Sequence, residues 1–295
     1  MENSLFTAKH FHEKEAAWAM LERLRWPNGP VCPHCSATKV YRLNVSSSAR
    51  RVLKCAKCRK QFSVTVGTIF EDSHIPLTTW FQAIQLMCSS KKGISAHQLH
   101  RMLGITYKSA WFLAHRIRHA MTQSVYTDKL SGTIEADETY IGGKRKGQGV
   151  KAGKDNKIPV FSLLQRGGVV RSFAMPRVTG GNLKQVIREN VNPTATLMTD
   201  SFIGYRGLKK EFERHEMVNH HEQEYVRGDA YTNTVENYFS LLKRGIIGTY
   251  HHVSKKHLPR YLAEFDFRYN ARAMNDLSRS VLAVTRTEGK RLQYQ

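Results

Sequence analysis

The chain has 295 residues, 41% of them hydrophobic, which is enough for one large or two to three smaller domains with filled cores and excludes a disordered chain. Its 46 Lys and Arg against 24 Asp and Glu leave a net charge of +22, which points to a polyanion, nucleic acid first, as partner. No run of about 18 apolar residues occurs, the N-terminus lacks the regions of an export signal, and four of the five cysteines fall in two close pairs. A membrane partner, secretion and a disulfide framework are therefore not expected, and metal binding in a reducing cytoplasm is.

In residues 1–70, Phe11 to Trp26 reads as a helix with Ala16, Ala17, Met20, Leu21 and Leu24 on its apolar face, stopped at Trp26-Pro-Asn-Gly-Pro30. Cys32-Pro-His-Cys35 and Cys55-Ala-Lys-Cys58 follow, nineteen residues apart, the spacing of a tetrahedral four-thiolate Zn²⁺ site. Tyr41 to Leu43 and Val52 to Lys54 pair as strands between the knuckles, and the metal replaces a core that so short a segment cannot build. Cys88 reads as a buried core thiol.

Residues 71–128 read as a helical module. Leu77 to Cys88 is one helix, capped by Thr78 or Thr79. Ser95 to Leu103, the turn Gly104-Ile-Thr106, and Tyr107 to Met121 then follow a helix-turn-helix pattern. On its second helix Lys108, Ser109, His115 and Arg116 are the residues expected to meet DNA, with Trp111, Phe112 and Ile117 in the core.

Residues 129–295 open with Thr133 to Ile141, a strand whose alternation puts Glu135 and Asp137 on one face and Ile134 and Ala136 on the other. Ile158 to Leu164 and Val169 to Met175 form a hairpin around Arg166-Gly-Gly168. Between the first two strands lies a glycine-rich basic loop, Gly142 to Lys154, in which Lys144, Arg145 and Lys146 are expected to contact DNA. Asn182 to Asn190 is a helix, and Ala195 to Thr199 a strand ending in Asp200, where open α/β sheets present ligand-binding residues. Asn233 to Lys243 is a helix on which Glu236 and Lys243, seven residues apart, lie within roughly 20° of each other and about 10 Å along one face. Asn233 and Glu236 also fit a capping box, in which the glutamate reaches back to the helix N-terminus. Leu258 to Ala273 is a further helix, with Tyr261, Phe265, Phe267, Tyr269 and Asn270 as packing residues. Asp137, Asp200 and Glu236, if brought together, repel one another unless divalent cations neutralise them, and an all-oxygen ligand set favours Mg²⁺ or Mn²⁺.

Asp200 and Glu236 have thirty-five residues between them and Lys243 follows by seven, which resembles the Asp-Asp-(35)-Glu, Lys pattern of transposases and retroviral integrases. Trp26 to Cys35, Val66-Gly-Thr-Ile-Phe70, Glu135 to Gly143, Thr199-Asp200 and Lys243 to Ser254 resemble bacterial insertion-sequence transposases of the ISXO type over about Phe11 to Arg272. The resemblance implies a multidomain α+β protein: a zinc ribbon, a helix-turn-helix module, and a ribonuclease-H-like mixed-sheet catalytic domain whose first three strands are antiparallel. It implies that Asp137, Asp200 and Glu236 hold two Mg²⁺ ions and that Lys243 is the downstream basic residue. Members of this group carry glutamate or asparagine as the third residue, and here Glu236 and Asn237 are adjacent. Spacing to Lys243 favours Glu236, since Asn237 is rotated by about 100°. Glu135 and Glu138 are the rivals for the first aspartate; Glu138 is expected to face away from Asp137, and Glu135 to share its face. The expected partner is double-stranded DNA, both element ends and target, bound by a homodimer or higher oligomer in the bacterial cytoplasm at the nucleoid. Two other readings stay open: a non-enzymatic DNA-binding regulator, and a nuclease of the same fold without strand transfer.

Overall fold

The computed structural model describes residues 6–43, 51–123, 128–142, 157–218 and 231–292. They form two compact units: Met1–Thr122 with Met274–Gln295, and Gln123–Ala273. The chain is a multidomain α+β protein. Among the described residues no helix is long and apolar enough to cross a membrane.

The first unit begins with a short 3₁₀ turn, Lys9–Phe11, and helix α1 (Lys14–Arg25), which buries Ala17, Trp18 and Leu21. A three-stranded antiparallel ribbon follows, β1 (Val40–Arg42), β2 (Leu53–Cys55) and β3 (Gln61–Phe62), with Tyr41 opposite Lys54 as expected. The two cysteine knuckles are built alike. Ser36 N–H donates to the Cys32 carbonyl and Arg59 N–H to that of Cys55, at 2.9 and 3.1 Å. Ser36 and Arg59 each take the left-handed conformation, φ 58° and 62°, which turns the chain away from the second cysteine of each pair. The four sulfurs then lie within 4.8 Å of one another. Cys32 Sγ to Cys58 Sγ is 3.7 Å and Cys35 Sγ to Cys55 Sγ 3.5 Å. A tetrahedron of thiolates about 2.3 Å from zinc has edges of about 3.8 Å, so the cluster fits that ion. The Cys58 amide points at Cys55 Sγ, 3.5 Å away, and favours its thiolate form.

Three helices complete the order α2 (Leu77–Ser89), α3 (Ala96–Leu103) and α4 (Tyr107–Met121). Pro76, not Thr78 or Thr79, precedes the first turn of α2, and no side chain caps it. Ser95 caps α3 by accepting from Gln98 N–H, Gly104 ends it at φ 64°, and Thr106 caps α4 by accepting from Ser109 N–H. Helix α8 (Asp276–Thr285), the last in the chain, packs in this unit: Arg279 donates to the Cys88 carbonyl at 2.7 Å, and Cys88 is buried. The Val66–Phe70 segment is stitched in by Arg25, which donates to the carbonyls of Val64 and Val66 at 2.6 and 2.7 Å.

The second unit is a five-stranded mixed sheet in the order β6-β5-β4-β7-β8. Here β4 is Thr133–Ile141, β5 Ile158–Gln165, β6 Val170–Ala174, β7 Thr196–Asp200 and β8 Arg214–Val218. The first three are antiparallel, β5 and β6 joined through Gly167 at φ 69°, while β7 and β8 run parallel to β4. This is the mixed sheet that the resemblance implies. Both faces are covered, as a sheet with parallel central strands requires. Ile134, Ala136, Phe161, Leu163 and Leu197 pack with Leu183 and Ile187 of α5 (Gly180–Asn190). On the opposite face Ile141, Val160, Leu164 and Val170 pack with Val235, Phe239 and Leu242 of α6 (Asn233–Gly245) and with Leu258, Leu262 and Phe265 of α7 (Leu258–Asn270). Among these apolar residues Asp266 is buried but satisfied: Tyr238 Oη donates to it at 2.5 Å, and Ser172 donates through Oγ and N–H at 2.7 and 2.8 Å.

Four cysteines at this spacing are positioned to hold zinc, and structural zinc contributes on the order of 10 kcal/mol to such short-stranded folds. Replacing Cys35 by serine is expected to abolish stoichiometric zinc in the purified protein, measured by a chromophoric chelator, and to remove hydrogen-exchange protection from β1 to β3. Full protection without zinc would contradict a structural role.

Candidate active site

Strand β4 passes through the middle of the sheet, and its alternation places Glu135 and Asp137 on the face covered by α6, with Ile134 and Ala136 on the other. Strand β7 pairs with it in parallel, Ala136 opposite Thr199, so the next step along both strands sets Asp137 level with Asp200. Asp137 accepts from Glu138 N–H at 2.7 Å, and Asp200 accepts from Phe202 N–H at 3.0 Å. Glu236 lies one residue beyond buried Val235 on the exposed side of α6, where its Oε1 accepts from Thr232 Oγ1 at 3.0 Å.

The Asp137 carboxyl is pushed up to about 7, first by burial and then by the negative charges of Glu138, Asp200 and Glu236, with the Glu138 amide pulling the other way. Asp200 and Glu236 thus both act electrostatically on Asp137. Glu138 turns to the opposite side of the strand, where Tyr205 Oη donates to it at 2.5 Å. Burial raises its carboxyl also, the tyrosine bond lowers it, and the charge of Asp200 raises it further. Lys243 and Asn237 are both exposed on α6.

Capping of α6 departs from the expected box. Its N-cap residue, Thr232, makes no side-chain cap bond. The first amides are taken instead by Glu135 from β4, whose Oε2 accepts from Thr234 N–H and Val235 N–H, both at 2.9 Å. The Glu135 side chain is fully buried and also meets Arg166, Nε to Oε1 at 2.7 Å. Arg166 was legible only as a turn residue, and nothing near Asn233 signals a cap from a strand about a hundred residues away.

The residues expected to meet DNA are placed unequally. Lys108 is exposed at the N-terminal end of α4, and Ser109 is half-buried beside it, its amide held by Thr106. His115 is fully buried, its ring centroid 4.2 Å from that of Trp111, and Arg116 donates to the carbonyls of Ile69 and Glu71 at 3.0 Å. His115 lies more than about 100° around the helix from the apolar stripe of Ala110, Ala114 and Ile117; it is buried beside Trp111, four residues earlier, and Arg118, three residues later. Lys144, Arg145 and Lys146 lie outside the described residues.

Comparison with known proteins gives two family matches. Residues 129–270 match the ISXO2-like transposase domain and residues 13–61 the transposase zinc-ribbon domain. A protein of the transposable element ISH50 from Halobacterium salinarum is 30% identical over 279 residues, covering 88% of this chain and 92% of that one. A transposase-like protein of Haemophilus influenzae is 29% identical over 101 residues, 34% of this chain and 80% of that protein. Among solved structures, a chain of the simian T-cell lymphotropic virus intasome complex with PP2A regulatory subunit B56 gamma matches with a TM-score of 0.30 at 15% identity, over 57% of this chain and 67% of that one, a likeness too slight to carry an argument. The near full-length relative and the two domain matches agree with the cysteine cluster and the mixed sheet, and the chain belongs to the ISXO2-like transposase family.

Proposed function

We propose that the protein is a DDE-type transposase that cuts DNA at the ends of its own insertion sequence and joins those ends to target DNA. The observation that carries this reading is the burial of Asp137 level with Asp200 and within the field of Glu236, in a domain of the ISXO2-like transposase family. Clustered carboxylates suit divalent cations, and their all-oxygen donor set favours Mg²⁺ or Mn²⁺. Asp137, Asp200 and Glu236 would hold two such ions, which when bound supply Lewis-acid stabilisation to a phosphodiester undergoing in-line displacement.

The chain's own residues do the rest. The sheet fixes the two aspartates on neighbouring strands, and α6 presents Glu236 from above the same face. Lys243, exposed on that helix, would meet a phosphate of the bound strand. Water is the first nucleophile and releases a 3′-hydroxyl at each element end; that hydroxyl then attacks a target phosphodiester, and no covalent protein intermediate is needed. The terminal inverted repeats are bound by the ribbon and by the α3–α4 module, with Lys108 and Ser109 nearest the DNA, and the +22 charge supplies the sequence-independent part of the affinity. Two ends must be held together, so the active complex contains at least two protomers.

Labelled element ends, a target plasmid and Mg²⁺ are expected to yield joined products. Asp200→Ala is expected to lower cleavage and joining by about three orders of magnitude, the several kcal/mol that metal-assisted catalysis supplies at about 1.4 kcal/mol per tenfold, with terminal-repeat binding intact. Undiminished Mg²⁺-dependent cleavage by that variant contradicts the assignment; cleavage without joining identifies a nuclease, and binding without either a regulator.

The Asp137 carboxyl at about 7 adds a pH dependence. A cation binds only the ionised form, so the half-saturating Mg²⁺ concentration is expected to rise up to about tenfold per pH unit below 7 and to level off above about 8, measured as cleavage rate against Mg²⁺. In metal-free protein the sign is opposite. A carboxyl raised above its unfolded value stabilises the fold most fully at pH below that unfolded value, and the contribution is lost as pH rises through 7. Thermal midpoints of metal-free protein should therefore fall between pH 5 and 8, and an unchanged midpoint with pH-independent Mg²⁺ demand would contradict the raised value.

A further inference from the structure

We propose that Glu135 is a positioning residue that caps α6 from the adjacent strand and thereby sets where Glu236 stands relative to Asp137; the inference rests on the reading of Asp137, Asp200 and Glu236 as a divalent-cation site. A helix usually obtains its cap from the residue just before it. Helix α6 does not. Thr232 turns its hydroxyl to Glu236 instead, and the amides of Thr234 and Val235 are both taken by Glu135 Oε2. Oε1 of the same carboxylate accepts from Thr234 Oγ1 at 2.9 Å and from Arg166 Nε at 2.7 Å. Arg166 in turn donates to the Tyr231 carbonyl at 2.8 Å, and its guanidinium carbon lies 3.5 Å from the centroid of the Tyr231 ring, so the segment leading into the helix is gripped as well.

A carboxylate with no solvent exposure is costly to bury, and a helix held by packing alone would not need one. Val235, Phe239 and Leu242 already bind α6 to the sheet through non-directional contacts, which allow sliding and rotation. The bonds of Glu135 are directional and fix the first turn. Their location matters: Glu135 is two residues before Asp137 on the same strand face, and Val235, whose amide it holds, is the residue before Glu236. The path from Asp137 to Glu236 therefore runs through a buried, fully bonded carboxylate instead of a loop. Oriented ligands depend on such outer bonds, whose loss commonly costs tenfold to a hundredfold in metal affinity or activity.

Glu135→Gln keeps the shape but sets an NH₂ group against donors on at least one side, so the cap weakens while the packing stays. Binding of Mn²⁺ to the zinc-loaded, DNA-free full chain by isothermal titration is the readout, with circular dichroism verifying the fold. Glu135→Gln is expected to weaken Mn²⁺ about tenfold or more. Arg166→Gln, which frees the other end of the carboxylate, should weaken it in the same direction by less, and stands in if the first variant fails to fold. Because the effect passes through Glu236, the double variant Glu135→Gln/Glu236→Ala should bind no more weakly than Glu236→Ala alone. Wild-type Mn²⁺ affinity in folded Glu135→Gln, or losses that multiply in the double variant, would overturn the inference and leave Glu135 a purely structural cap. Wild-type affinity in Asp137→Ala would instead overturn the cation-site reading itself.

Discussion

Like charges do not gather without a reason, and the second unit sets Asp137 within the field of Asp200 and Glu236. The parallel register of β4 and β7 forces Asp137 and Asp200 to the same level of the sheet, and α6 adds Glu236 above the face that Asp137 occupies. Burial strips water from Asp137 in particular, and with the neighbouring charges its carboxyl rises to about 7. Much of the architecture can be understood as holding this unfavourable arrangement in place. Apolar residues of α5 and α7 close the two faces, Asp266 with Tyr238 and Ser172 ties α6 and α7 to β6, and Glu135 fixes the first turn of α6.

The remainder of the chain carries the opposite sign. A net +22 with this acidic centre means that the positive excess elsewhere is larger than the total suggests, and it suits a ligand whose backbone is polyanionic throughout while its reacting phosphodiester approaches carboxylates. The first unit is stabilised differently. Its ribbon relies on four sulfurs at zinc spacing, its helices on ordinary caps at Ser95 and Thr106 and on the Arg25, Arg116 and Arg279 guanidinium groups that bridge carbonyls between segments. Several arginines that a charge count assigns to a DNA surface are in this way committed to the fold.

What was legible in the sequence was local. The cysteine spacing, the alternation through Glu135 and Asp137, the Gly104 turn and the aspartate at the end of β7 each depend on residues within a few positions, and each is found where the pattern put it. What was illegible was set by partners far along the chain. Strand β8 is an edge strand whose Arg-His-Glu-Met-Val pattern gains its meaning only beside β7. Helix α8 begins at an Asn275 cap, and it is held through Arg279 to the Cys88 carbonyl, nearly two hundred residues earlier in the sequence. Asn233 and Glu236 mimic a capping box because the true cap lies on another element, and His115, off the apolar stripe of its helix, mimics a DNA-facing residue although it is buried against Trp111.

Asp137, Asp200 and Glu236 are proposed to form one divalent-cation site on the face of this sheet that α6 covers. Anomalous diffraction from crystals of the full chain soaked in Mn²⁺ tests it most directly. Two Mn²⁺ peaks are expected, with oxygens of Asp137, Asp200 and Glu236 at about 2.0–2.3 Å, near the range of hard divalent cations on carboxylates. Peaks confined to other carboxylates, or a Mn²⁺ held by Asn237 with Glu236 turned away, would contradict it.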